Sequence, residues 1–177
     1  MAHVGEESLF THLNMIRLAS TCRLQGKWDR AEQVEARVLE ISLRRYGPEH
    51  PHALISMTNQ AATYRNLKRL EEAEAMILQA IETSKRLFGP ERPRTLASVG
   101  NLALIRHDQG RLDEAETLEV EVVTLRERVL GADHPETISA VANLATTYLS
   151  LHRFREAEDM GTQARLQANR FWAQNTR

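Results

Sequence analysis

YGPEHP fills residues 46–51 and returns as FGPERP at residues 88–93 and LGADHP at residues 130–135. Gly47, Gly89 and Gly131 stand 42 residues apart, and one more step back falls on Gly5. A turn that recurs at one fixed spacing marks a repeat architecture, and that reading precedes any local one. Glycine takes the left-handed conformation that ends a helix, and proline suits the first turn of the next. His50, Arg92 and His134 lie just ahead of that proline, near the cap. The stretch is therefore punctuation between helices.

Other columns follow the same register. Ala31, Ala73, Ala115 and Ala157 align, each followed by glutamate, and each has a large apolar residue three positions earlier: Trp28, Leu70, Leu112 and Phe154. A second alanine column holds Ala19, Ala61, Ala103 and Ala145, and an asparagine column holds Asn59, Asn101 and Asn143, with Arg17 in the first copy. Within a copy the period is helical. Leu54, Met57, Ala61 and Tyr64 draw one apolar stripe, and Leu70, Ala73, Ile77, Ala80 and Ile81 draw a second. A breaker separates them around Asn66, Leu67 and Lys68, where sister copies place Gly26 and Gly110. Acids gather at the start of each second helix and bases at its end, which complements the helix dipole and favours a structural role for the charges.

The 177 residues suffice for a buried core, and 42% hydrophobic with 27% charged composition is that of a globular protein. A net charge of −1 gives no electrostatic case for nucleic acid or an anionic membrane surface. No apolar run approaches the roughly 20 residues of a membrane span. The opening MAHVGEESLF lacks the charged start and apolar run of a secretory leader, so a cytoplasmic location is expected. The single cysteine, Cys22, excludes an internal disulfide and is expected to be a buried, inert thiol. The seven histidines form no HExxH and no pair one turn apart, and there is no phosphate-cradling loop or nucleophile elbow. No catalytic residue, metal ligand or cofactor is expected.

The columns resemble tetratricopeptide repeats (TPRs). Aligning residues 60–64, QAATY, with that family's Leu-Gly-x-x-Tyr segment puts Ala73 on its hallmark second-helix alanine. The 42-residue period, with G-x-x-HP between units and NLA in the first helix, resembles the kinesin light chain subtype. It is closer still to the tandem arrays of fungal NLR-like (NB-ARC or STAND) proteins, as GPERPRTLASVGNLALIRHDQGRLDEAE and GADHPETISAVANLATTYLSLHRFREAE show. The resemblance implies an all-α, right-handed superhelical solenoid of four antiparallel helix pairs, a single domain over 1–177. Its repeats fall near 5–46, 47–88, 89–130 and 131–172, with first helices lining a concave groove.

That alignment names the groove: Asn59, Asn101, Asn143 and Arg17, with Thr58, Thr146, Arg65 and His107 beside them. The implied partner is a protein or peptide, bound as an extended segment whose backbone the asparagine amides would meet. The same amides could instead brace adjacent helices, and the sequence leaves both readings open. The lysines and arginines of a terminal-carboxylate clamp are replaced by Ile16, Thr58, Gly100 and Ala142, so that variant is not expected. At the far end Arg165 interrupts an apolar column, as a polar cap would, while Phe171 and Trp172 are expected to fold back over the last pair or to meet another chain. The alternative function is therefore a structural module that forms homo-oligomers through its terminal repeats.

Overall fold

The computed structural model describes residues 9–175, so the expected Gly5 lies outside it. Eight α-helices and no strands form among these residues: α1 (Leu9–Leu24), α2 (Trp28–Tyr46), α3 (Pro51–Asn66), α4 (Leu70–Phe88), α5 (Pro93–Asp108), α6 (Leu112–Leu130), α7 (Pro135–Ser150) and α8 (Phe154–Asn175). The chain forms two compact units, Met1–Leu87 and Phe88–Arg177, each holding two helix pairs. Every first helix has 16 residues, and α2, α4 and α6 have 19. Only α8, at 22 residues, departs from the pattern.

The junction between pairs works through backbone conformation. Pro51, Pro93 and Pro135 open α3, α5 and α7, where the missing N–H costs nothing. His50 and His134 cap two of these helices, their Nδ1 atoms accepting from the backbone N–H of His52 and Glu136 at 3.2 Å. Gly47 lies at φ 87°, ψ 167° and Gly131 at φ 93°, ψ 156°. This is a correction to the left-handed helical cap expected from sequence: the glycines adopt an extended, positive-φ conformation that is essentially closed to any other residue.

The turn inside each pair does use the left-handed region. Gly26, Lys68, Gly110 and His152 share one column, with φ of 68°, 61°, 76° and 60°. After each, the next N–H reaches the carbonyl five residues back at 2.9 Å, as in Lys27 to Cys22 and Arg69 to Tyr64, closing a Schellman motif. Two of the four positions thus carry a Cβ where glycine fits without strain.

Small residues let the helices approach. Ala31, Ala61, Ala73, Ala103 and Ala115 have no exposed surface at all, and Ala19, Ala145 and Ala157 are buried too. Cys22 is buried as expected. In the first unit α2 packs on both α1 and α3, and Leu54, Met57 and Ala80 form a core flanked by Leu39 and Met76. In the second, Leu144, Tyr148 and Ala157 do the same with Val123, Leu151 and Met160.

Ion pairs stitch three of the helix pairs from outside. The acid of the junction turn meets an arginine 37 residues later: Glu49 with Arg86, Glu91 with Arg128 at 2.6 Å, Asp133 with Arg170 at 2.8 Å. Arg69 holds Glu32 and Glu72 while its guanidinium sits 4.2 Å over the Tyr64 ring. Arg153 repeats this with Glu116, Glu156 and Tyr148. These pairs are partly exposed, so each adds little to stability.

Two acids are inside. Glu35 of α2 and Glu119 of α6 are each 4% exposed, and neither carboxylate receives a hydrogen bond of ordinary geometry. Burial pushes the Glu119 carboxyl up to about 7; the Thr147 hydroxyl beside it pulls the other way, and the nearby Glu116 adds to the rise.

Two expectations follow from these local conflicts. Lys68→Gly removes a left-handed Cβ and should stabilise the protein by roughly 0.5–1 kcal/mol, with Gly110→Lys costing a similar amount, as read from denaturant midpoints. For Glu119 the folded state keeps a proton that the unfolded chain has released. Stability should therefore fall as pH rises from the ordinary 4.5 to about 7 and stay low above that. Glu119→Gln should flatten most of that slope and stabilise the protein by roughly 2 kcal/mol at about pH 8; an unchanged slope would contradict the assignment.

Candidate functional site

The first helices carry the residues the sequence singles out. In the first unit Arg17 is exposed on α1, while Thr58, Asn59 and Arg65 are half-buried on α3. In the second, Asn101 and His107 are half-buried on α5, with Asn143 half-buried and Thr146 exposed on α7. The asparagine column is the informative one. Among the described residues no hydrogen bond engages the side-chain amides of Asn59, Asn101 or Asn143. Asn66 and Asn175 behave differently, each donating Nδ2 to a backbone carbonyl one turn back at 2.8 Å.

The threonines are partly committed. Thr58 and Thr146 donate their hydroxyls to the carbonyls of Leu54 and Ala142. His107 meets the Ser150 hydroxyl of α7 at 2.9 Å and lies 3.7 Å from Asp108. This contact joins α5 to α7 next to Thr146 on the first-helix face.

In the first unit Asn59 belongs to a recess between α1, α2 and α3, shared with Ile16, Ala19, Ser20, Arg23, Glu35, Val38 and Ser56. Its inner space for the centre of a water-sized group is about 10 Å³, so it admits one heavy atom at its base. Arg23 approaches Glu35 Oε1 through Nε at 3.4 Å and donates Nη2 to Ser20 Oγ at 3.3 Å. Burial raises the Glu35 carboxyl above its ordinary range, and the Thr63 hydroxyl and Arg23 guanidinium partly offset this.

Glu35 and Glu119 escape a reading of the sequence, because acids abound in these second helices and most lie in solvent. A signal was present nonetheless. Glu35 follows Ala31 by four residues and precedes Val38 by three, which is the spacing of the buried stripe.

At the end of the chain α8 runs on through both aromatic residues instead of folding back over the last pair. Phe171 is half-buried, Trp172 is 62% exposed, and their rings meet edge to face at 5.4 Å. Among the described residues no group of three metal-ligating side chains converges, and no helix is long and apolar enough to cross a membrane.

The tetratricopeptide repeat pattern matches residues 9–86, 55–128 and 95–165. Solved structures with the same fold include the Podosopora anserina putative kinesin light chain with nearly identical TPR-like repeats. A point-substituted form of that protein is 24% identical, with TM-score 0.72 over 93% of this chain and 78% of that one. BtubC (BKLC) from P. vanneervenii is 21% identical, with TM-score 0.73 over 89% of this chain and 63% of that one. A Rap protein complexed with Competence and Sporulation Factor is 15% identical, with TM-score 0.78 over 89% of this chain and 42% of that one. At these identities the likeness shows the fold alone, an all-α TPR solenoid. No curated protein matches the chain. Three overlapping matches spanning most of its length, on helix pairs repeating every 42 residues, place the chain in the tetratricopeptide repeat family.

Proposed function

We propose that this TPR scaffold binds a protein or peptide segment in extended form along the groove lined by its first helices. The observation that carries the reading is the asparagine column: half-buried amides, one per repeat in α3, α5 and α7, with no protein hydrogen bond. An amide pairs with both the N–H and the C=O of a peptide backbone, and one amide per repeat matches a ligand recognised through its backbone. A Rap protein that shares the fold is solved in complex with Competence and Sporulation Factor, which supports this reading. The repeat text, so close to that of fungal NLR-like arrays, supports a sensor array that reports on its ligand to other domains, and a cytoplasmic setting suits that role.

A second reading has its own observation. Trp172, exposed at the end of α8 beside Phe171, offers an aromatic contact for another copy of the chain. Large exposed aromatics of this kind anchor interfaces.

Selection from a random peptide library should yield a shared motif on the parent protein. Binding of those peptides should be lost in the triple variant Asn59→Ala, Asn101→Ala, Asn143→Ala, whose helicity and melting stay unchanged because the amides hold nothing together. Peptides that bind both forms equally would refute the asparagine contact. For the second reading, sedimentation across a dilution series should show a mass change that Phe171→Ala with Trp172→Ala abolishes; a constant monomer mass in the parent would dismiss it.

A further inference from the structure

His12 breaks the repeat at a buried position. In register it shares a column with Leu54, Leu96 and Ile138, all aliphatic. His12 is 3% exposed, close to the 5% of Leu54 and the 1% of Leu96, so an ionisable ring occupies a core slot. Neither ring nitrogen has a hydrogen-bond partner. A neutral imidazole leaves one N–H unsatisfied there; an imidazolium would leave two, together with an unpaired charge.

The surroundings make a proton less welcome still. Tyr46, at the end of α2, meets His12 edge to face with ring centres 6.5 Å apart, stacks on His50 at 4.6 Å and lies 5.4 Å from His52. The Arg45 guanidinium sits 5.4 Å from the centre of the same tyrosine ring. The charges that bear on His12 are His52 from α3 and Arg45 from α2, both of its own sign. α1 and α3 contain no acidic residue, and Glu49 of the intervening turn is engaged by Arg86. Burial first, then His52 and Arg45, hold the imidazole below its ordinary 6.5.

We propose that this cluster is an acid-sensitive latch: neutral His12 docks α1 against α2, and its protonation releases α1. Released, the imidazole takes a proton near 6.5; docked, it refuses one. Docking therefore has its full strength above that pH and weakens as pH falls below it. His50 acts at the same place. Its Nδ1 accepts from the His52 N–H, so a proton there removes the cap and sets a cation at the N-terminus of α3. Glu35, buried in α2, works with the opposite sign, because burial raises its carboxyl and acid neutralises it. The latch does not depend on what the groove binds.

The test is amide hydrogen exchange on the full chain at about pH 7.5 and about pH 5.5, expressed as protection relative to the unfolded chain so that the chemistry of exchange cancels. Protection in α1 should fall by up to about tenfold at the lower pH, the limit for one ordinary imidazole that stays neutral when docked. His12→Leu installs the residue of the second and third copies, so it should raise α1 protection and abolish most of the fall. The fall should persist in Glu35→Gln. Unchanged α1 protection, an equal fall in His12→Leu, or its disappearance in Glu35→Gln would each overturn the latch. Loss confined to the first turns of α3 and α7, which His50 and His134 cap alike, would assign the acid response to the caps and overturn it too. As a second readout, ring-proton NMR should place the His12 titration below 6.5; a midpoint at or above it would mean that docked α1 accepts the proton, and the proposal fails.

Discussion

A pair of antiparallel helices 16 and 19 residues long has two apolar faces and one partner, so one face stays wet until the next pair covers it. Everything else in this chain serves that constraint. The two alanine columns, buried in all four copies, hold the helices close enough for Leu, Ile and Val side chains to interlock. A larger residue at any of them would push the backbones apart and cost roughly 1–3 kcal/mol. The glycines at the junctions turn the chain through a conformation other residues avoid, and the arginines of the second helices tie the turn acids down.

The copies are not equal, and the inequality has a period of two repeats. Glu35 faces the Thr63 hydroxyl in the first unit, and 84 residues later Glu119 faces that of Thr147 in the second. In the intervening repeats those columns hold Ile77 and Ile105, both without exposed surface. A buried carboxylate opposite a hydroxyl is a poor substitute for two isoleucines as far as stability goes. Its presence once in each unit forgoes stability that two isoleucines would supply.

The asparagine column shows how far a sequence reaches. Its register and its place on the first helices were legible from spacing alone. Whether the amides braced the helices or stood ready for a ligand was not, because that depends on which atoms come within about 3 Å of them. The fold-back expected of Phe171 and Trp172 failed for a related reason: nothing in RLQANRFWAQNTR breaks a helix, so α8 continues through Asn175.

By itself the sequence determined the repeat, the all-α class and the alanine columns, since each follows from local periodicity and from glycine and proline placement. Tertiary structure decided which acids are buried and which amides are unpartnered. Most glutamates of the second helices lie in solvent while Glu35 and Glu119 do not, although the residue type is the same. Burial belongs to the neighbour that arrives from the next repeat, more than twenty residues along the chain, and no local pattern carries that neighbour's position.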